Sequence, residues 1–152
     1  MTLLVDDQVL SLVLRGEPPT AVMDTDAIFT TGYWYVRLCQ AVLGVADRPG
    51  TLSSPFTALP PERRDQALAA VLELPDEIGL LSLRALAPVI ARLRSRHQLN
   101  ILGMEALAAA VQLDARVVLS ARSPRLEDAL LVEARTFQVV DTDSPEVSIG
   151  LP

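Results

Sequence analysis

LNILGMEALAAAVQLDARVVLSARSPRL, residues 99–126, is the stretch whose reading decides the fold. Met104, Leu107, Ala108 and Val111 recur at the three- and four-residue spacing of a helix. Ala106, Ala110 and Leu113 add a second apolar stripe, so this helix is apolar around most of its surface and is expected at the centre of the domain. Glu105 is the only charge in its first two turns. Arg116 to Leu119 reads as a short buried strand, and Ser123-Pro124 as the start of another helix. A lone carboxylate entering a buried, alanine-rich helix is either a paired structural acid or part of a site.

The same alternation of short strands and helices runs outward in both directions. Thr2 to Val5 reads as a buried strand, followed by Asp6-Asp7 and a helix from Gln8 to Leu14 that Gly16 and Pro18-Pro19 stop. Asp6 is placed to cap that helix by accepting from its unpaired N–H groups. Thr20 to Met23 reads as a second strand, Tyr33 to Leu43 as a helix, and residues 44–61 as a loop. Pro60-Pro61 open a further helix that Pro75 ends. Glu77 to Ser82 is the third strand candidate, and Pro88 fits the first turn of the next helix, with Leu86, Val89, Ile90 and Leu93 inward. Ser123 is expected as a helix N-cap, Phe137 to Val140 as the last strand, and 142–152 as a polar, proline-containing tail.

Strands alternating with helices imply an α/β domain over residues 1–141, a three-layer sandwich with a central, mostly parallel sheet covered on both faces. Sites in such sheets gather at the carboxyl ends of the strands. Asp6 lies at such an end, Ser120 and Arg122 follow the fourth strand, and Glu105 starts a helix able to reach the same edge.

Composition narrows the function classes. The chain has 152 residues, half of them hydrophobic, with positive mean hydropathy, enough for one domain with a real core. Every apolar run is interrupted by charge or proline, so no membrane span is expected. The N-terminal run meets two aspartates at once and has no basic leader, which points to a cytoplasmic location. Cys39 is the only cysteine and His97 the only histidine, which excludes an intrachain disulfide and thiolate or multi-histidine metal clusters. All 13 basic residues are arginine, as a GC-rich coding bias would produce, and the net charge is −6. That balance argues against a broad nucleic-acid surface, which works by neutralising phosphates.

Two groups need weighing within that frame. Tyr33-Trp34-Tyr35 either stacks bases or serves as core and contact surface, and the structural reading is favoured. Arg92, Arg94 and Arg96 either contact phosphates or form a solvated face with local ion pairs; no aromatic is interleaved with them, which favours the second. No nucleophilic constellation or Gly-rich phosphate loop is present.

Two segments resemble the PIN-domain family, the fold of toxin ribonucleases in toxin–antitoxin pairs. LLVDDQVL, residues 3–10, looks like the family's opening strand, aspartate and helix; residues 105–126 look like its acidic residue, alanine-rich helix, strand and following loop. The resemblance implies three or four carboxylates at one sheet edge holding one or two magnesium or manganese ions, because hard cations take oxygen ligands and activate water for phosphodiester cleavage. By the resemblance Asp6 takes the first acidic position, Glu105 the third, and Ser120 the small hydroxyl position; Asp7 is a neighbouring candidate ligand.

The sequence departs from the pattern twice. The helix around Tyr33 to Gln40 has no carboxylate, its nearest charge being Arg37, and the fourth acid is replaced by Ala121-Arg122-Ser123. Arg122 is expected to pair with Asp6 or Glu105 and satisfy both without metal. The reading is a PIN-like domain with a degenerate site and weak or absent metal binding, acting by binding a protein such as an antitoxin, a second copy in a homodimer, or RNA. The alternatives are an active Mg/Mn-dependent endoribonuclease and a small α/β interaction module.

Overall fold

The structure, a computed structural model, describes residues 1–44 and 50–142. Five strands form one wholly parallel sheet in the order β3-β2-β1-β4-β5: β1 Thr2–Val5, β2 Ala27–Thr30, β3 Ile78–Leu80, β4 Arg116–Leu119 and β5 Phe137–Val139. Seven helices are present among the described residues: α1 Asp7–Leu14, α2 Gly32–Leu43, α3 Ser54–Thr57, α4 Pro61–Leu72, α5 Leu83–Leu93, α6 Ile101–Leu113 and α7 Pro124–Val132. Strand residues alternate between two cores. Leu4, Val117 and Leu119 face α5, α6 and α7, while Leu3, Val5 and Val118 face α1, α2, α3 and α4. This is the expected three-layer α/β sandwich, and β1 is buried on both sides because strands and helices flank it in all directions.

Helix α6 has the central place its apolar pattern predicts. Every residue from Met104 to Ala110 is buried, Glu105 included. Its end is not marked by glycine: Asp114 adopts a left-handed conformation (φ 51°), and an ion pair with Arg135 holds it. Gly16 (φ 78°) closes α1 in the usual way.

Several expectations need correction. Thr20 to Met23 is not a strand but a 3₁₀ turn, Thr20–Val22, in which Val22 and Met23 donate to the carbonyls of Pro19 and Thr20. The second strand is Ala27–Thr30, which pairs with β1 from Thr2↔Ala27 to Leu4↔Phe29. The loop read over 44–61 contains the short helix α3, and residues 45–49 of that loop lie outside the described residues. Pro88 is not in a first turn but inside α5, which Ser82 starts by accepting from Ala85 N–H. Pro88 is exposed, so the carbonyl of Arg84 that loses its intrahelical donor can turn to water. Ser123 precedes α7 but its side chain makes no cap bond; Glu127 accepts from the Ser123 N–H instead, at 2.5 Å. The tail read over 142–152 lies outside the described residues from position 143 onward. No helix among the described residues is long and apolar enough to cross a membrane.

Gly79, in β3, stands opposite Phe29 of β2, whose ring lies where a side chain would go: a Cβ there would sit 2.3 Å from the ring. Gly79→Ala is expected to lower stability by about 1–3 kcal/mol through overpacking, read as a lower midpoint in thermal denaturation.

Candidate functional site at the carboxyl edge of the sheet

The chain fills the sheet to one side of β1 with β2 and β3, then crosses over and fills the other side with β4 and β5. The reversal leaves a crevice between the carboxyl ends of β1 and β4, where α/β proteins bind ligands. Asp6 follows β1 directly and Ser120 follows β4. Asp6 extends the strand pairing by donating its N–H to the Val118 carbonyl (3.2 Å). Its side chain then turns into the crevice. Oδ1 accepts from Val9 N–H at 2.9 Å, the helix cap expected from sequence, and Oδ2 accepts both the N–H and the hydroxyl of Ser120 at 2.6 Å each. Asp6 is only 6% exposed, and three donors stand in for the water it has lost.

Glu105 reaches the same edge from the layer of α5, α6 and α7. It is fully buried, and Oε1 accepts from the Tyr33 N–H at 2.8 Å, one of the unpaired donors that open α2. Thr31 supplies the conventional cap of that helix by accepting from Trp34 N–H. Gly32 lets the carboxylate come close, since a Cβ there would stand 3.2 Å from Glu105 Oε2. Oε2 itself is buried without a hydrogen-bond partner among the described residues.

Asp7 begins α1 and is likewise buried. Oδ1 accepts from Gln8 N–H, and Oδ2 faces Arg37 Nε at 3.3 Å in an ion pair. Burial pushes the Asp7 carboxyl above its ordinary range; Arg37 pulls it back, and the adjacent Asp6 raises it further. Arg37 is visible in the sequence as the only charged residue on α2, while the burial of Asp7 and the packing of α1 beside α2 are seen only in the structure.

Asp6 and Ser120 are thus brought into contact, and Glu105 and Asp7 line the same edge through partners on α2. Arg122 is not where it was expected. It binds Glu127, with Nε at 2.9 Å and Nη2 at 2.8 Å from Oε1, and leaves Asp6 and Glu105 alone. The physical reason is local: Glu127 is nearly fully buried one turn into α7 and draws both the Ser123 N–H and the nearest guanidinium.

The arginines of α5 lie elsewhere. Arg94, the residue after that helix, donates to the Leu99 carbonyl, and Arg96 with His97 holds Glu133 at the carboxyl-terminal end of α7. Since α7 runs back from the end of β4 towards the start of β5, Glu133 sits towards the opposite edge of the sheet from Asp6. Hydrogen bonds from His97 and Arg96 lower the Glu133 carboxyl below its ordinary range. Arg92 is exposed, and its carbonyl accepts from the Ser95 hydroxyl. Of the aromatic group, Trp34 is core and Tyr35 donates its hydroxyl to the Val71 carbonyl, so only Tyr33 shows substantial surface.

No protein-family model matches the chain, and no curated protein matches it either.

Glu105→Ala is expected to cost about 2–4 kcal/mol, from the cavity and the lost acceptor for Tyr33 N–H, whereas Glu105→Gln, which keeps an acceptor and removes a buried charge, is expected to stay close to the parent in denaturant unfolding. Asp7 sets a pH dependence. Its folded pKa is above the 3.8 of an ordinary aspartate, so the folded chain holds the proton more tightly and loses stability as pH rises from about that value through the raised one. The stability of Asp7→Asn relative to the parent is therefore expected to increase with pH over that window, measured by chemical denaturation at each pH.

Proposed function

We propose that the chain is a PIN-like α/β domain that acts by binding a protein partner and not by metal-dependent cleavage. The observation that carries this reading is that each carboxylate at the crevice is engaged by the protein itself through at least one oxygen: Asp6 by Val9 and Ser120, Asp7 by Gln8 and Arg37, and Glu105 by the N-terminus of α2. A pair of magnesium or manganese ions at such an edge needs several oxygen ligands converging on each ion. Among the described residues, no three His, Cys, Asp or Glu side chains are grouped to hold a metal. On α2, where the resemblance asks for an acid, stands the cation Arg37. This donor set does not fit a two-metal centre.

Protein is favoured over RNA as the partner. The net charge is −6, and Arg94 and Arg96 are spent on the Leu99 carbonyl and Glu133. Helix α2 instead shows Tyr33, Val36 and Leu43 to solvent. An antitoxin-like protein and a second copy of this chain both suit that surface. Sedimentation at rising concentration separates them, a dimer naming the second copy and a monomer throughout naming a different protein.

Two atoms favour a second reading, a Mg/Mn-dependent endoribonuclease: Oε2 of Glu105 and Oδ2 of Asp7, both buried and without a hydrogen-bond donor among the described residues. Calorimetry with manganese and magnesium decides between the two. The binding reading expects no micromolar affinity and no RNA cleavage by the pure protein. Micromolar affinity that Asp6→Ala abolishes, together with manganese-dependent cleavage, would establish the nuclease.

A further inference from the structure

Tyr33, Leu80, Leu83 and Ile101 leave an apolar patch open at the carboxyl edge, over the β3 half of the sheet. Each is between 39% and 50% exposed, and each stands on a different element: α2, β3, α5 and α6. The fold brings them to one place. Leu80 ends β3 and pairs with Thr30, which ends β2; from Thr30 the chain passes through Thr31 and Gly32 to Tyr33 in the first turn of α2. Leu83 opens α5 directly after the end of β3. Ile101 opens α6 one turn before Glu105, on the same side of that helix, and Glu105 Oε1 holds the Tyr33 N–H at 2.8 Å. Exposed apolar side chains scattered singly are ordinary, whereas several gathered from separate elements at one edge mark a contact surface.

The setting of the patch is positive, on a chain whose net charge is −6. Helices α5 and α6 begin on the neutral caps Ser82 and Asn100, and neither has an acid in its first turn, so the positive ends of both lack a counter-charge of their own. Arg84, exposed in the first turn of α5, adds a full charge. The exposed acids Asp26, Asp76 and Glu77 precede β2 and β3 and so lie at the opposite edge, and Glu105 is wholly buried. A partner that fits must bring large apolar side chains to the patch and carboxylates to the helix ends and Arg84. RNA phosphates answer the charge but leave Leu80, Leu83 and Ile101 uncovered. We propose that the patch docks an acidic segment of a partner protein in which Asp or Glu is interspersed with large apolar residues. The inference rests on the reading that the chain binds a protein, and it gives the contacting segment of that protein its chemistry.

The test pans a phage-displayed library of random peptides on the full chain and measures the selected sequences, as labelled synthetic peptides, by fluorescence anisotropy. Selected peptides are expected to combine Asp or Glu with Leu, Ile, Phe or Met. Their affinity is expected to fall about tenfold or more in Ile101→Ser, in Leu83→Ser and in Arg84→Glu. All three positions are exposed, so the variants are expected to fold, and melting curves check that they do. No selected peptide, a selection dominated by Lys and Arg, or affinities that Ile101→Ser and Arg84→Glu leave unchanged would overturn the proposal. Peptides that lose affinity in Val36→Ser but not in Ile101→Ser would overturn it while leaving the protein-binding reading standing. Manganese-dependent RNA cleavage would overturn that reading and the proposal with it. A dimer that Ile101→Ser dissociates would assign the patch to a second copy of the chain, again overturning the proposal.

Discussion

The carboxylate of Asp6 ties together three pieces of chain at the carboxyl edge of the sheet, where the β1–β4 ladder ends. Its backbone continues the β1–β4 ladder, one oxygen caps α1, and the other takes both donors of Ser120. A carboxylate withdrawn from water needs such a set of donors, because burying it unanswered costs more than the strands around it return. The turn after β1, the start of α1 and the loop after β4 are therefore positioned relative to one charge. Everything at the crevice inherits that placement, from Asp7 one residue on to the α2 helix that packs beside α1.

The three acids of the edge illustrate three ways of keeping a buried negative charge. Asp6 is surrounded by N–H and O–H donors. Asp7 is set against a guanidinium. Glu105 is laid on the positive end of a helix, with one oxygen engaged and the other bare. The first arrangement is the most complete and the last the least. The same ranking orders the side chains by their capacity to engage something further. Two oxygens at this edge, Oδ2 of Asp7 and Oε2 of Glu105, stay buried without a hydrogen-bond donor among the described residues.

Much of the layout was legible in the sequence because the fold is written in periodicity. The apolar ring of α6, the β-branched run of β4 and the Asp6 cap follow from spacing and residue type alone. What escaped was governed by contacts between distant segments or by one-residue conformations. Ala27–Thr30 becomes a strand by lying between β1 and β3, a pairing of distant segments that its own residues do not announce. Thr20–Val22 has strand-like residues but is turned by the prolines before it and the acidic residues after it. The partner of Arg122 was set by how deeply α7 buries Glu127, a tertiary fact that charge counting does not contain. Arg37 was visible as the single charge of its helix, but its pairing with Asp7 required knowing that α1 and α2 are neighbours.

The order of strands has a consequence for how the chain comes into being. Asp6 and Ser120 are 114 residues apart, so the middle of the sheet closes only once β4 has been made. During synthesis β1, β2 and β3 emerge first and can pair among themselves, while the other side of β1 waits for β4. For that interval the most apolar strand of the protein is an open edge, with unpaired backbone groups on one side. Contacts of such long sequence separation form slowly. The strand at the centre of the finished sheet is thus an edge strand until β4 is made.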